Sequence, residues 1–521
     1  MAVDPKTLPA LLRRQSRVRG THPVVVCDDD RLTYADAAHR SARLSRGLIA
    51  LGAGKGTHVG VLYPNGPSFV VATLAAARIG ATVVPFSTFV TARELGDQLR
   101  HSDVEILLSA TAYRSHDYRE RLSAVLTAEP AGSTTEVFDP AVPNLRHAVF
   151  GLHSLDASAE EVDDALLTAM EDDVDGSDPL AIVYTSGSTG APKGAVHTHD
   201  ALLGHQRNLN AIRRYTADDT LFCNSPFFWI GGFAFALLAT MATGATLLCS
   251  NAEDSGAVLD LLERESPTLT NGFAAGVAHL TRHPSFADRD LSAMIRGNLY
   301  PIMAHEARPA DPELRHNMLG MTEAGGVVLL SGDDTDQPEH RRGSFGRPAP
   351  GFDIRVVDPD TAAAVGTGQS GELWIRGPYL MQHYHRRSRE DSFEPDGWFR
   401  TGDLVRTDTE GFVYYLGRLG AMIKTAGANV APAEVERAIA RVTGVPAHVI
   451  GIPDADRGQL VAAVLTPDPG VEVDETGLAR RLTAELSSYK IPRRIVVLPR
   501  GELPMLPSGK VDISGLAELF Q

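Results

Sequence analysis

The run Tyr184-Thr185-Ser186-Gly187-Ser188-Thr189-Gly190-Ala191-Pro192-Lys193-Gly194 concentrates groups that bind anions. Glycine lets a backbone fold closely around a ligand, and successive N–H groups can converge on negative charge. The hydroxyls of Thr185, Ser186, Ser188 and Thr189 add donors, Gly187 and Gly190 add freedom, and Lys193 adds a positive charge. Together they suit a polyphosphate. A polar surface loop is the plain alternative. The apolar run Leu180-Ala181-Ile182-Val183 before it and the Pro192-Lys193-Gly194 end argue against that. A Walker-type loop needs Gly-Lys followed by Ser or Thr. Here Pro192 precedes Lys193 and Gly194 follows it.

Such a loop must be carried by a strand, and the sequence supplies one at 180–184. The chain before it alternates strand and helix. Leu32-Thr33-Tyr34-Ala35-Asp36 opens a helix to about Leu51, Val59–Leu62 is a strand, and Asn65-Gly66-Pro67 is a turn. An alanine-rich helix follows over Phe69–Ile79, then strands at Thr82–Pro85 and Val104–Leu108. That rhythm predicts a parallel sheet with helices on its faces. Residues 131–177 are acidic and weakly patterned, and are expected to be a solvated surface. A helix is expected over Asp200–Tyr215, and Gly371–Pro378 reads as strand and turn in a β-rich section.

At 521 residues the chain exceeds one domain. Its net charge of −16 makes it a poor candidate for binding nucleic acid or an anionic membrane surface. Three cysteines, Cys27, Cys223 and Cys249, without paired spacing argue against a disulfide framework or structural zinc. The start Met1-Ala2-Val3-Asp4-Pro5 has no leader pattern, so a cytoplasmic location is expected. Leu221–Ser250 carries no charge, but Pro226, Gly231, Gly232 and Gly244 interrupt it. It reads as a buried helix followed by a buried strand, with no membrane span.

Further runs follow the loop in order: Ser225-Pro226-Phe227-Phe228-Trp229-Ile230-Gly231-Gly232, Leu319-Gly320-Met321-Thr322-Glu323, Thr401-Gly402-Asp403, Gly417-Arg418 and Leu503-Pro504-Met505-Leu506-Pro507-Ser508-Gly509-Lys510. With the loop, this series resembles the adenylate-forming superfamily of acyl- and aryl-CoA synthetases, luciferases and peptide-synthetase adenylation domains. The likeness runs from about Leu32 to Val511. It implies a large N-terminal α/β domain of layered subdomains with a β-rich last part, residues 1–419. A small mobile α+β domain, residues 420–521, would follow, with Gly420 as the hinge.

The resemblance also implies roles. Thr185 to Lys193 would hold the β- and γ-phosphates of ATP. Thr322 would touch the α-phosphate. Glu323, with Thr185, would hold Mg²⁺, for which one carboxylate beside a triphosphate suffices. Asp403 would take both ribose hydroxyls, since a carboxylate can accept from two at once, and Arg418 would make a second ribose or phosphate contact. Phe228, Trp229, Gly231 and Gly232 would line the carboxylate-substrate pocket, with Trp229 standing where many synthetases have histidine. Leu319 and Gly320 would lie at the adenine, Leu319 in place of the usual aromatic residue, and Tyr300-Pro301-Ile302-Met303 replaces the usual small-residue turn. Lys510 would be the catalytic lysine. The face carrying Lys424 to Gly427 would close over the site for the second step.

The activity implied is an ATP-dependent carboxylic acid, above all fatty acid, CoA ligase that works through acyl-AMP and releases AMP and pyrophosphate. Val430-Ala431-Pro432-Ala433-Glu434 resembles CoA ligases more than peptide synthetases, which points to coenzyme A as acceptor. Two other readings stay open: an adenylating module that loads a carrier-protein thiol, and a non-catalytic binding protein on the same scaffold. Oligomeric state is open too, a homodimer being one option.

Overall fold

Residues Phe69 to Ala77 of the helix Pro67–Arg78 are all buried. A helix apolar all round belongs inside a protein, and this one lies in the core between two sheets. A computed structural model describes residues 4–127, 132–185, 192–419, 422–467, 471, 473–505 and 511–520. One sheet has seven strands in the order Lys193–Thr198, Pro179–Thr185, Thr82–Pro85, His58–Leu62, Ile106–Ser109, His147–Phe150 and Thr134–Glu136. The other has six, in the order Arg296–Gly297, Leu269–Asn271, Thr220–Cys223, Thr246–Cys249, Pro23–Cys27 and Asp30–Thr33. Pairing is parallel from Pro179–Thr185 through His147–Phe150 in the first. It is parallel from Arg296–Gly297 through Pro23–Cys27 in the second. A single apolar cluster joins Val25 and Leu247 of one sheet, Val59 and Val83 of the other, and the helix between them. Thr33 begins the neighbouring helix Tyr34–Ala50 by accepting the Asp36 amide on its hydroxyl.

The first domain ends in antiparallel sheets. One is built from Leu319–Met321, Gly326–Leu330 and Arg347–Pro348, the other from Asp353–Val357, Ser370–Arg376, Phe399–Thr407 and Val413–Arg418. The architecture is therefore a large α/β domain with a β-rich last part and a small α+β C-terminal domain. By packing, the chain forms two units. The first is Met1–Thr88, Leu99–Tyr184 and Gly194–Gly417; the second is Phe89–Gln98, Thr185–Lys193 and Arg418–Gln521. The second unit holds a sheet of Ala428–Val430, Ile423–Thr425, Gly458–Leu465, Ala447–Asp454 and Arg494–Val497. Val435 and Ile439 of helix Pro432–Thr443 and Leu478 and Leu482 of helix Glu475–Leu482 form its core with Val449 and Leu465.

Two stretches differ from their sequence reading. Residues 131–177, expected to be solvated, supply the strands Thr134–Glu136 and His147–Phe150 and the helix Asp164–Asp173. Glu171 on that helix is only 4% exposed and accepts from Arg78 Nε, with Arg13 Nε 3.8 Å away. A single buried acid inside an acidic run carries no sequence signal. Replacing it leaves Arg78 buried without its counter-charge, so Glu171→Ala is expected to destabilise the first unit by about 3 kcal/mol. A fall in the denaturant midpoint at unchanged slope measures this. The uncharged stretch 221–250 holds the expected helix and strand, preceded by an unforeseen strand, Thr220–Cys223, and the helix centre, Phe233–Leu238, is a π-helical turn flanked by Ile230–Gly232 and Ala239–Thr243. Among the described residues no helix is long and apolar enough to cross a membrane. All three cysteines are buried and free, and strand register sets Cys27 opposite Cys249, a pairing that sequence spacing hid.

Candidate functional site

Thr185 closes the strand Pro179–Thr185 and Lys193 opens the strand Lys193–Thr198. Ser186, Gly187, Ser188, Thr189 and Gly190 lie outside the described residues. Tyr184, at the root of the run, has its hydroxyl 2.7 Å from His101 Nδ1. The His101 ring lies 5.8 Å from that of His385, whose Nε2 is 3.0 Å from Asp103 Oδ2. Arg386 donates to both oxygens of Asp103. Burial, with the Arg386 charge, lowers the His101 pKa. The imidazole thus stays neutral beside the phenol.

Thr322 and Glu323 form a short 3₁₀ turn, Thr322–Ala324, between the strands Leu319–Met321 and Gly326–Leu330. Glycine makes the turn possible. Gly325 has φ +67°, and a Cβ there would come within 2.9 Å of Leu202. The Glu323 carboxylate accepts the Tyr384 hydroxyl at 2.6 Å on Oε1, and its carbonyl accepts the Met381 amide at 2.8 Å. Among the described residues no group of three or more His, Cys, Asp or Glu side chains could hold a metal by itself. The donor set fits one carboxylate completed by oxygens of a bound phosphate, which suits Mg²⁺.

Leu319 is buried and belongs to the apolar core of the β-rich part; Gly320 is the exposed position on that strand. Leu319 packs with Val328 and Leu329 in that core. Tyr300–Ile302 forms a 3₁₀ turn, and Ile302 and Met303 are buried in another core cluster.

Asp403, 5% exposed, lies in the strand Phe399–Thr407, its amide donating to Thr401 Oγ1. Beside it Glu372, in the strand Ser370–Arg376, accepts from the Gly402 amide, Trp374 Nε1 and Arg400. That buried acid fixes the local backbone next to Asp403. Arg418 ends the strand Val413–Arg418. In the second unit, Lys424 is exposed on a hairpin whose turn is Ala426-Gly427, with φ of 47° and 83°. Two positive φ values are the demand of the favoured two-residue hairpin turn, which gives Gly427 a structural reason. Gly420 and Lys510 lie outside the described residues.

The aromatic run is clamped from an unexpected side. Asn65 Nδ2 donates to the Ser225 carbonyl at 3.0 Å, and Asn65 Oδ1 accepts the Phe227 amide at 2.7 Å. Phe228 is buried and Trp229 half-buried, the Trp229 ring standing edge-on to Phe228 at 5.4 Å and Phe273 at 6.0 Å. At Gly232 a Cβ would fall 2.1 Å from the Pro226 carbonyl oxygen, so only glycine closes this turn. Gly231, one residue before, sits against Ser225.

Asn65, Glu372 and Tyr384 were missed as site residues. Asn65 read as a turn former, and Tyr384 sits in a stretch without periodicity. Glu372 offered a signal, an acid leading directly into the apolar run Leu373-Trp374-Ile375 of a strand. His197, His199 and His205 gave no sequence signal of their surroundings, yet all three are fully buried. Burial holds the imidazoles neutral, with His197 and His199 pushed down to about 4 and His205 to about 3. In the unfolded chain they titrate near pH 6.5. Below that pH the unfolded state binds more protons, so their contribution is complete above pH 6.5 and drains away as pH falls toward 4. The thermal midpoint is expected to drop steadily from pH 7 to pH 5, and a flat profile would contradict neutral burial.

Comparison with known proteins completes the picture. The AMP-binding enzyme family matches residues 12–385, and the AMP-binding enzyme C-terminal domain matches residues 434–510. A feruloyl-CoA synthase of Amycolatopsis sp is 32% identical over 496 residues, 92% of each chain. A long-chain-fatty-acid–CoA ligase, FadD13, of Mycobacterium tuberculosis is 29% identical and covers 94% of both chains. The o-succinylbenzoate CoA synthetase MenE of Bacillus subtilis shares the fold, with a TM-score of 0.77 at 23% identity over 97% of each chain. With both family domains in sequence and a relative this similar across nearly its whole length, the chain belongs to the AMP-binding, adenylate-forming enzyme family, among its AMP-forming acid–CoA ligases.

Proposed function

We propose that the protein activates an apolar carboxylic acid, a fatty acid first of all, as its acyl-AMP and transfers the acyl group to coenzyme A. The observation that carries this reading is the Thr322–Glu323 turn, a carboxylate oriented by the Tyr384 hydroxyl within a chain of this family. In the first step the acid's carboxylate attacks the α-phosphorus of ATP and pyrophosphate leaves. In the second the thiol of coenzyme A attacks the acyl carbonyl and AMP leaves. The first step gathers negative charge, so its catalysis is chiefly electrostatic.

In this reading Thr185, Lys193 and the run between them hold the β- and γ-phosphates. Thr322 donates to the α-phosphate. Asp403 and Arg418 hold the ribose. Phe228, Trp229, Gly231 and Gly232 wall the acid pocket, with Leu319 and Gly320 at the nucleotide. Glu323, with Thr185, would hold Mg²⁺, which when bound supplies positive charge to the phosphates. Lys510 serves the first step; Lys424 and Gly427 serve the second. The domain boundary is placed at residues 419 and 420, with Gly420 as hinge.

An aryl acid is the second reading. It is favoured by the edge-on pairing of Trp229 with Phe273 and by the feruloyl-CoA synthase relative. Release of pyrophosphate over a panel of fatty and cinnamic-type acids, with and without coenzyme A, tests both. The proposal requires thioester and AMP formed together, only with coenzyme A. Thioester formed only on a carrier protein would establish the loading-module reading. No turnover with any acid would favour a non-catalytic binder.

A further inference from the structure

Thr322 and Glu323 are held from behind by side chains whose presence the reaction itself does not explain. Three of them donate to the backbone of one turn and the strand that follows it. His197 Nε2 donates to the Thr322 carbonyl at 2.7 Å, Gln206 Nε2 to the Gly325 carbonyl at 2.9 Å, and His205 Nε2 to the Val327 carbonyl at 3.0 Å. All three side chains have no exposed surface. They come from consecutive elements, the strand Lys193–Thr198 and the helix His199–Arg213.

A carbonyl acceptor demands a donor, so each imidazole carries its proton on Nε2. The opposite nitrogens, Nδ1 of His197 and of His205, and Gln206 Oε1 are buried without a hydrogen-bond partner among the described residues. Leaving such atoms unpaired is costly. The arrangement therefore gives up hydrogen bonds on one side of each group to secure a backbone carbonyl on the other.

The same strand also reaches the other neighbour of Glu323. Ala195 pairs with Tyr384, the Val196 amide donates to the His383 carbonyl, and the Gln382 amide donates to the Val196 carbonyl. Tyr384 in turn donates to the Glu323 carboxylate. Residues 195–197 thus hold Glu323 twice, through its side-chain partner and through the carbonyl of the residue before it.

We propose that His197, supported by Gln206 and His205, is a positioning residue for acyl-AMP formation: it sets the place of the Thr322–Glu323 turn. This rests on the reading of Glu323 as the magnesium-binding carboxylate. A displacement of about 1 Å at a reacting group can cost on the order of 10²-fold in rate. Removing the donor is therefore felt far more in the half-reaction that uses Glu323 than in the other, where only Thr322 still meets the phosphate of acyl-AMP.

The test uses the full-length protein with four substitutions: His197→Leu, His197→Gln, Gln206→Leu and Glu323→Gln. Acyl-AMP formation is followed by pyrophosphate release at varied Mg²⁺, and thioester formation is followed from supplied acyl-AMP and coenzyme A. His197→Leu is expected to slow acyl-AMP formation about 10²-fold and to raise the Mg²⁺ needed, with transfer from supplied acyl-AMP changed far less. His197→Gln, whose amide nitrogen can reach the same carbonyl, is expected to recover most of the rate. If Glu323→Gln is inactive in the first step while a folded His197→Leu adenylates like wild type, the positioning role is overturned and the Glu323 reading stands. If Glu323→Gln adenylates normally, the reading beneath the proposal fails, and the proposal with it. Equal loss of both half-reactions in His197→Leu, or no recovery in His197→Gln, would mark a merely structural role and overturns the proposal. Should His197→Leu not fold, Gln206→Leu decides by the same criterion.

Discussion

A Lys510→Ala protein is expected to lose acyl-AMP formation on the order of 10³-fold while still making thioester from supplied acyl-AMP. The reason is charge. Adenylation brings a carboxylate to a phosphate, and a lysine ammonium can offset both; the thiol step has no such meeting of anions. Lys510 ends the run Pro507-Ser508-Gly509-Lys510 and is the last residue of the C-terminal family match. Separate assays of the two half-reactions check this. Loss of both in equal measure would remove Lys510 from its assigned step.

Glu323→Gln carries the second large effect. The amide keeps the size of the side chain and can still meet the Tyr384 hydroxyl, but it loses the negative charge a hard cation wants. Acyl-AMP formation is expected to fall about 10²- to 10³-fold, with a steeper demand for Mg²⁺. A Mg²⁺ titration of pyrophosphate release reads it directly. Normal rate at ordinary Mg²⁺ would show that the cation is held elsewhere.

Most of the architecture was legible where local pattern and burial agree. Val59–Leu62, Thr82–Pro85 and the helix between them follow from apolar runs broken by Gly and Pro, and the structure shows them as His58–Leu62, Thr82–Pro85 and Pro67–Arg78. His147–Phe150 was not legible, because a four-residue strand beside acidic segments gives too little periodicity. The motifs were visible as runs, but their support was not. His197 reaches Thr322 across 125 positions and Asn65 reaches Phe227 across 162, and no local pattern encodes such distant hydrogen bonds. Leu319 shows the opposite case. Its neighbours are motif residues, yet strand alternation turns its side chain into the core.

The six-stranded sheet also bears on how the chain is made. Its strand Pro23–Cys27 lies between Asp30–Thr33 and Thr246–Cys249. Tyr34, just after, finds its hydroxyl partner at Ala245, 211 positions on. During synthesis Val24, Val25 and Val26 therefore emerge long before the strand that completes their pairing. At ordinary elongation rates that interval is roughly 10–40 s. For that time one edge of an apolar strand is open to any other extended chain. Nascent polypeptides halted before residue 246 are expected to aggregate or to occupy holdases more than the full-length chain does. The length of chain made, more than the strength of any one contact, then governs the yield of folded protein.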